Sequence, residues 1–586
     1  MTLSTHGAHL DSHGNTHFAL WAPNAHEVAL VLGSGDRYAM QAGEHGWFAA
    51  DVACPAGTRY QFLIDGQHQV PDPASRAQAH DVHGPSVVVD PRTYPWVHND
   101  WQGRPWHETV LYELHVGALG GYAGVARELP RLAELGITAI ELMPLGSFAG
   151  QRNWGYDGVL TFAPQREYGS PDELRALIDQ AHGLGLMVFV DVIYNHFGPD
   201  GNYLGLYARD FFRHDRQTPW GDAIDFRRRE VRDFFIENAL MWLLDYRVDG
   251  LRLDAVHAIE DDDFLRELAQ RVRQATGSER QVHLVLENED NNAALLQDGF
   301  DAQWNDDGHN VLHCLLTGEQ EGYYADFTQD ATRKLARCLG EGFIYQGETS
   351  RRGTARGQPS GHLPPTAFVL FLQNHDQTGN RAFGERLVSL ADPEALRAAV
   401  ALHLLCPMVP LLFMGEEWGC EQPFLFFTDH HDALGDAVRE GRRSEFADFA
   451  AFADAERRST IPDPNALSTF HASVPQRPAD MAQSHGWPAL YQQLLALRQR
   501  WITPRLPGAQ LAQVTVLAEG ALTAAWLLGD GSELRIDLNL GEADAAAAPP
   551  AEGADLLFAT GLELDSYLQS GTLPPRSLVA TLRIQS

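Results

Sequence analysis

The run HLVLENEDNN (283–292) sets three carboxylates, Glu287, Glu289 and Asp290, at the end of an apolar stretch. Glu287 directly follows HLVL, where a carboxyl can be half desolvated and held protonated. Glu289 shares its strand parity but lies two residues nearer water, and Asp290 and Asn291 more plausibly shape a loop. The same kind of ending recurs elsewhere. DVIYNH (191–196) carries Asp191, Asn195 and His196, and DGLRLDAVH (249–257) carries Arg252, Asp254 and His257. WNDDGH (304–309) carries Asp306, Asp307 and His309, and NHDQTGNR (374–381) carries His375, Asp376 and Gln377. Each has a plain reading as an ion pair, a satisfied buried histidine or a turn. Together they suit a transition state that becomes positively charged. Glycoside cleavage through an oxocarbenium-like state uses one carboxylate as nucleophile or base and one carboxylic acid as proton donor. Arg252, two positions before Asp254 on one strand face, would keep that aspartate ionised, whereas a donor needs a site that raises its pKa.

These clusters need elements that bring them to one place. From about residue 108, strands alternate with helical segments. Eight candidates are VLYELHV (110–116), ITAIELM (137–143), LMVFVDVIY (186–194), VDGLRLD (248–254), HLVLE (283–287), FDAQWN (300–305), AFVLFLQN (367–374) and VPLLFMG (409–415). Most are continuously apolar, as strands buried on both faces should be. Between them GSPDELRALIDQAHGLG (169–185) predicts a helix, with a Ser170/Glu173 capping box and Pro171 at its first position. The pattern predicts a (β/α)8 TIM barrel over 107–505 with long loop insertions. An open doubly wound sheet is the competing reading, but no G-x-G-x-x-G follows the first strand. In a barrel the clusters above share the C-terminal rim, where catalytic residues sit. Upstream, short strands (HFALWAP, EVALVLG, WFAADVA, TRYQFLID, SVVVD) predict an N-terminal immunoglobulin-like β-sandwich over 1–92, and 93–106 reads as a Pro/Trp-rich linker. AQVTVLA, ALTAAWLLG, ELRIDLNL and SLVATLRI predict a small C-terminal β-sheet domain over 506–586, with AAAAPPAEGA (545–554) as a low-complexity turn.

Composition narrows the function classes. A formal charge of −34 repels phosphate backbones and anionic lipid, so neither nucleic acid nor membrane is an expected partner, whereas a neutral sugar escapes that repulsion. Cys54, Cys314, Cys338, Cys406 and Cys420 are scattered and odd in number, which predicts reduced thiols rather than a disulfide framework or a zinc site. The N-terminus shows no basic and apolar leader pattern, so a cytoplasmic, soluble protein is expected. H-E-x-x-H, G-x-S-x-G and the P-loop are absent, and no cofactor or metal is expected. Oligomeric state is not readable from these features.

DVIYNH, DGLRLDAVH, the strand-five glutamate and NHD, in that order, resemble the four conserved segments of the α-amylase family, glycoside hydrolase family 13. VPDPASR (70–76), HGPSVV (83–88), NWGYDGV (153–159), TPWGDAIDF (218–226), DAQWNDDGH (301–309), FLQNHDQTGNRAFGERL (371–387) and PFLFFTDHHDALGDAVREGRRSEF (423–446) are similar to its malto-oligosyltrehalose trehalohydrolase branch. The resemblance spans essentially the whole chain. It implies a retaining hydrolase that cuts the α-1,4 bond next to the terminal trehalose of malto-oligosyltrehalose, giving trehalose and a malto-oligosaccharide. Asp254 would be the nucleophile, Glu287 the proton donor and then base, and Asp376 the stabiliser of the transition state. Tyr156, His196, Arg252, His257, His375 and Gln377 would contact the sugar, with Tyr156 as a stacking platform. Asp306, Asp307 and His309 would serve the trehalose end. Many α-amylases bind calcium through the asparagine matching Asn195, but the trehalohydrolase branch does not generally depend on it. The loop GALGGYAGV after strand one is shorter than usual, and LENED replaces the commoner A-E-x-D. A branching or debranching enzyme of the same architecture is the nearest alternative, and a non-catalytic glucan-binding protein is one of another class.

Overall fold

A computed structural model describes residues 5–218, 221–447, 449, 452, 454–479 and 484–585. Of the TPWGDAIDF segment, Pro219 and Trp220 lie outside the described residues. Residues 7–87 form two antiparallel sheets packed face to face. One carries Gly7–Leu10, Asn15–Trp21, Trp47–Ala53 and Gln41–Ala42 in that order. The other carries Arg37–Ala39, Val28–Leu32, Arg59–Ile64 and His68–Val70, with Ser86–Val87 added beside Arg59–Ile64. Alternation builds the core: Tyr60, Phe62 and Ile64 are buried while Arg59, Gln61 and Leu63 face outward. One carboxylate is among the contacts that anchor the sandwich to the next domain. Glu237, on the helix Arg229–Leu240, accepts from the backbone N–H groups of Thr5 (2.8 Å) and His6 (3.1 Å).

Eight parallel strands then close a barrel in chain order: Leu111–Leu114, Ala139–Leu142, Met187–Val192, Gly250–Leu253, His283–Leu286, Ala302–Trp304, Phe368–Phe371 and Val409–Phe413. Every expected strand is present, each shorter than its apolar run. The helix Pro171–Gly183 has its expected cap: Ser170 Oγ accepts from the Glu173 N–H at 3.2 Å, and Glu173 returns the bond to the Ser170 N–H at 2.7 Å. Inside the barrel, Leu111, Ala139, Met187, Phe189, Val285, Ala302, Trp304, Val369, Phe371, Val409 and Leu411 pack into one apolar plug.

The stretch read as a linker is the floor of this barrel. Trp101 and Trp106 pack against the interior plug. The indole N–H of Trp101 donates to Asp249 (2.8 Å) and that of Trp106 to the Thr366 carbonyl (2.7 Å). Trp, with a large apolar body and one donor, suits a lid that must seal a core and satisfy a strand end. At the other end of the chain, five antiparallel strands pair in the order Gln513–Ala518, Ala521–Leu527, Glu533–Asn539, Ser577–Arg583, Asp555–Thr560. The sequence reading found four of them. DLLFAT was missed because it follows directly on the low-complexity turn. The sheet packs on the barrel helix Pro393–Leu405.

The five cysteines are each buried and unpaired. Among the described residues no helix is long and apolar enough to cross a membrane.

Replacing Trp106 by Ala opens the plug to water from below. It should lower stability by about 3 kcal/mol, the low end for a tryptophan truncation because the ring is only half buried. Urea unfolding followed by circular dichroism reads this, and an unchanged midpoint would refute the floor role.

Candidate active site

Strand parity explains why the barrel changes character at its upper rim. Side chains two residues apart share a face, so strands that send Leu111, Ala139, Phe189 and Val285 into the plug also send Glu113, Glu141, Asp191 and Glu287 inward above it. The upper interior is therefore a ring of ionisable groups over a hydrocarbon floor.

Arg252 stands at the centre of this ring, fully buried, with its guanidinium 4.2 Å from the centre of the Trp304 ring. Its Nη1 donates to Asp254 (2.7 Å) and to Asp191 (2.8 Å), and its Nη2 lies 3.8 Å from Glu287. Asp254 also accepts from the Asn195 amide at 2.9 Å, both at its carboxylate and at its backbone carbonyl. Burial works against the charge of Asp254, but Arg252, His196 and these hydrogen bonds outweigh it and hold its carboxyl below the usual range. Glu287 goes the other way. Burial raises its pKa, reinforced by the charges of Asp254 and Asp376 and only partly opposed by Arg252 and His257. The two carboxyls flank one guanidinium yet favour opposite protonation states.

The backbone opposes part of this contrast, because an N–H donated to a carboxyl favours its charged form. Ala255, directly after Asp254, adopts φ 41° and ψ 49°, a left-handed conformation uncommon for a residue with a Cβ. That turn aims its N–H at Glu287 Oε2, 2.5 Å away.

Tyr156 and His375 stack, with ring centres 5.0 Å apart at 20°, and the Tyr156 hydroxyl donates to Asp191 at 2.6 Å. His196 is buried beside Asp254, with its Nε2 3.0 Å from the Tyr156 carbonyl, and burial lowers its pKa. His257 accepts the Glu289 N–H at its Nδ1 (3.2 Å). Asp376 is the most open of the acids, 41% exposed, with His375 Nε2 at 3.4 Å. Gln377 reaches toward Asp306 at 3.5 Å, and Asp306 is itself driven well toward neutrality by burial and by the charges of Glu287 and Asp376. Ten of the twelve sequence candidates thus gather at one rim of the barrel: Asp254, Glu287, Asp376, Tyr156, His196, Arg252, His257, Asp306, His375 and Gln377.

Asp307 and His309 are not part of it. Asp307 is wholly enclosed, accepting from the N–H groups of Ile344 (2.9 Å) and Tyr345 (3.0 Å) and from the Asn291 amide (2.9 Å), and pairing with Arg356 (2.9 Å). His309 is buried with Nδ1 on the Leu372 carbonyl (2.8 Å) and its ring over Phe371. The physical reason is local. WNDDGH is not an extended loop but the start of the helix Asp306–Thr317, with the Asn305 side chain capping the Gly308 N–H. Helical geometry fans successive side chains around the axis, so only Asp306 faces the mouth. Glu289 is likewise tied back, to Arg352 at 2.7 Å.

Three groups escaped the sequence reading. Glu113 and Glu141 lie inside VLYELHV and ITAIELM; a single acid at inward parity in a strand otherwise buried on both faces was the available signal. Both carboxyl oxygens of Glu141 lack a hydrogen-bond partner, and burial with the neighbouring Glu113 and Asp191 pushes its pKa far up, which favours its neutral form. Tyr323, about half exposed, lies within electrostatic reach of Asp376 on a loop pinned by the two-point Arg381–Glu319 pair (2.8 Å each). No periodicity marks it.

Removing the Asp307 carboxylate takes the charge partner from Arg356 and leaves two backbone N–H groups without their acceptor inside the protein. Asp307→Ala should cost about 3–5 kcal/mol of stability. Were Asp307 a ligand contact instead, denaturant titration would show little change and KM alone would rise.

Comparison with known proteins agrees with this architecture. The carbohydrate-binding module 48 (isoamylase N-terminal domain) model matches residues 5–91, the alpha amylase catalytic domain model residues 92–210, and a domain of unknown function (DUF3459) residues 509–580. A Deinococcus radiodurans protein named malto-oligosyltrehalose trehalohydrolase is 40% identical over 91% of this chain and 89% of its own. One of the same name from Rhizobium sp. (strain M-11) is 38% identical over 97% and 98%. A Salmonella typhimurium crystal structure, described as a candidate alpha amylase, superposes with a TM-score of 0.93 at 44% identity, covering 99% of this chain and all of that one. With shared sequence running from the sandwich through the barrel to the terminal sheet, the chain belongs to the malto-oligosyltrehalose trehalohydrolase family.

Proposed function

We propose that the chain is a retaining glycoside hydrolase that cuts the α-1,4-glucosidic bond adjacent to the terminal trehalose of malto-oligosyltrehalose. The observation that carries this reading is the pair of carboxyls around Arg252, whose surroundings push the pKa of Asp254 down and that of Glu287 up. The names of its relatives supply the substrate class, and the matched carbohydrate-binding module fits an oligoglucan ligand.

In this mechanism Asp254 attacks the anomeric carbon and forms a glycosyl ester, while Glu287 protonates the departing glycosidic oxygen and trehalose leaves. Esterification removes the negative charge of Asp254. That charge is one of the influences raising the pKa of Glu287, so its loss makes the deprotonated Glu287 easier to maintain. Glu287 then takes a proton from water as the oxygen attacks the ester, releasing the malto-oligosaccharide and restoring both groups. Asp376, Asp306 and His375 contact sugar hydroxyls, and Tyr323 offers an aromatic face at the open side. A retaining course calls for the Asp254 and Glu287 carboxyls to stand about 5–5.5 Å apart.

The deciding experiment incubates the protein with maltotriosyl-trehalose and with maltopentaose and follows trehalose, glucose and new linkages by chromatography. Trehalose should appear from the first substrate, with little cleavage of the second. Equal cleavage of both rejects the proposal, and new branch points in place of trehalose would favour a branching enzyme.

The pH profile of kcat/KM should be a bell. Activity needs Asp254 ionised, so its acid limb falls below the ordinary aspartate range. It also needs Glu287 protonated, so its alkaline limb lies above the ordinary glutamate value. Glu287→Gln should lower kcat by at least about 10³-fold and abolish the alkaline limb, and retained turnover would exclude Glu287 as the acid.

A further inference from the structure

We infer that Glu113, inside the first barrel strand, is a positioning residue that holds the imidazole of His375 so that its Nε2 presents an N–H to the reacting sugar. The inference rests on the hydrolase reading above and concerns how its site is held together.

Glu113 grips His375 at two points. One carboxylate oxygen accepts from the His375 backbone N–H at 2.9 Å, and the other accepts from ring Nδ1. Two-point capture fixes both the place of the residue and the rotation of its ring. The ring faces are also held, by Tyr156 stacked at 5.0 Å and by Trp154 edge-on at 5.4 Å. With Nδ1 committed to Glu113, only Nε2 remains. It is buried, has no hydrogen-bond partner in the protein, and lies 3.4 Å from Asp376 Oδ1, on the side where sugar hydroxyls would lie. A buried donor without a partner is costly, and a bound hydroxyl would satisfy it.

The surrounding charges favour the doubly protonated ring. Glu113 and His115 face it from strand one, Glu141 from strand two, Tyr156 from the loop after that strand, Asp191 from strand three, Arg252 from strand four, and Asp376 from its own helix start. Burial opposes the charge, but Asp376 and Glu113 outweigh it, and the His375 pKa is pushed up to about 9. Without the Glu113 carboxylate, one of those two anions is gone, and the ring loses its second proton at lower pH. Nε2 then turns from donor to acceptor beside an aspartate.

Glu113→Gln tests this, because the amide keeps the shape and its one oxygen can still accept from Nδ1, while the charge and the acceptor for the His375 backbone N–H disappear. Relative to the wild type, kcat should fall by about tenfold or more at pH 8, but by no more than about threefold at pH 5, where the imidazole regains its proton. In a His375→Asn background the same change should add nothing, as expected for two residues acting through one contact. An equal loss at every pH, or losses that multiply in the double variant, would overturn the inference. Should Glu113→Gln not fold, Glu113→Asp decides. It keeps the charge but is too short to reach both donors, so kcat must drop with a pH profile parallel to the wild type; full wild-type kcat overturns the positioning role. If the wild-type protein itself releases no trehalose, the hydrolase reading fails and not merely the part assigned to Glu113.

Discussion

A single guanidinium, with no exposed surface, organises the mouth of this barrel. Burying an unpaired charge is prohibitively costly, so Arg252 must be surrounded by partners, and it finds them on three strands and a ring on a fourth. Asp191 comes from strand three, Asp254 from strand four, Glu287 from strand five and Trp304 from strand six. The need to satisfy one cation therefore fixes the mutual distances of the residues that would do chemistry. The same cation divides its effect unequally. At 2.7 Å it keeps Asp254 charged, and at 3.8 Å it fails to overcome the desolvation of Glu287.

That arrangement is only possible above a sealed hydrocarbon plug. Below the ring, Leu, Val, Met, Phe and Trp side chains exclude water from the barrel interior, and Trp101 and Trp106 close it from underneath. A wet floor would raise the local dielectric and flatten the pKa contrasts at the rim. The stretch that looks like a connector in sequence is thus coupled to the electrostatics at the opposite end of the barrel.

Much of this was legible beforehand because it depends on short-range pattern. Mostly apolar runs alternating with helical segments marked the eight strands, the Ser170/Glu173 box marked a helix start, and polar strand ends marked the rim. Asp307 and His309 were misplaced for a reason equally short-range. Asn305 caps a helix whose first turn sends neighbouring side chains in different directions, and a motif read as a loop hides that fan. Glu113 and Glu141 were passed over because an isolated acid in a strand is ordinarily a register accident, and only barrel closure shows it facing Asp191, Arg252 and His375. The fifth strand of the terminal sheet, Asp555–Thr560, was hidden by the alanine- and proline-rich turn before it.

The amino-acid sequence by itself determined the elements, their order and the rim at which acids and histidines collect, since each follows from neighbours within a few residues. Only the tertiary structure decided which acids share a cavity and which are locked away, because that depends on contacts between residues far apart in the chain. Glu113 meets His375 across 262 positions, and Trp106 meets Thr366 across 260. Such pairs form only when the barrel closes and brings the ends of its first strand within reach of those of its seventh.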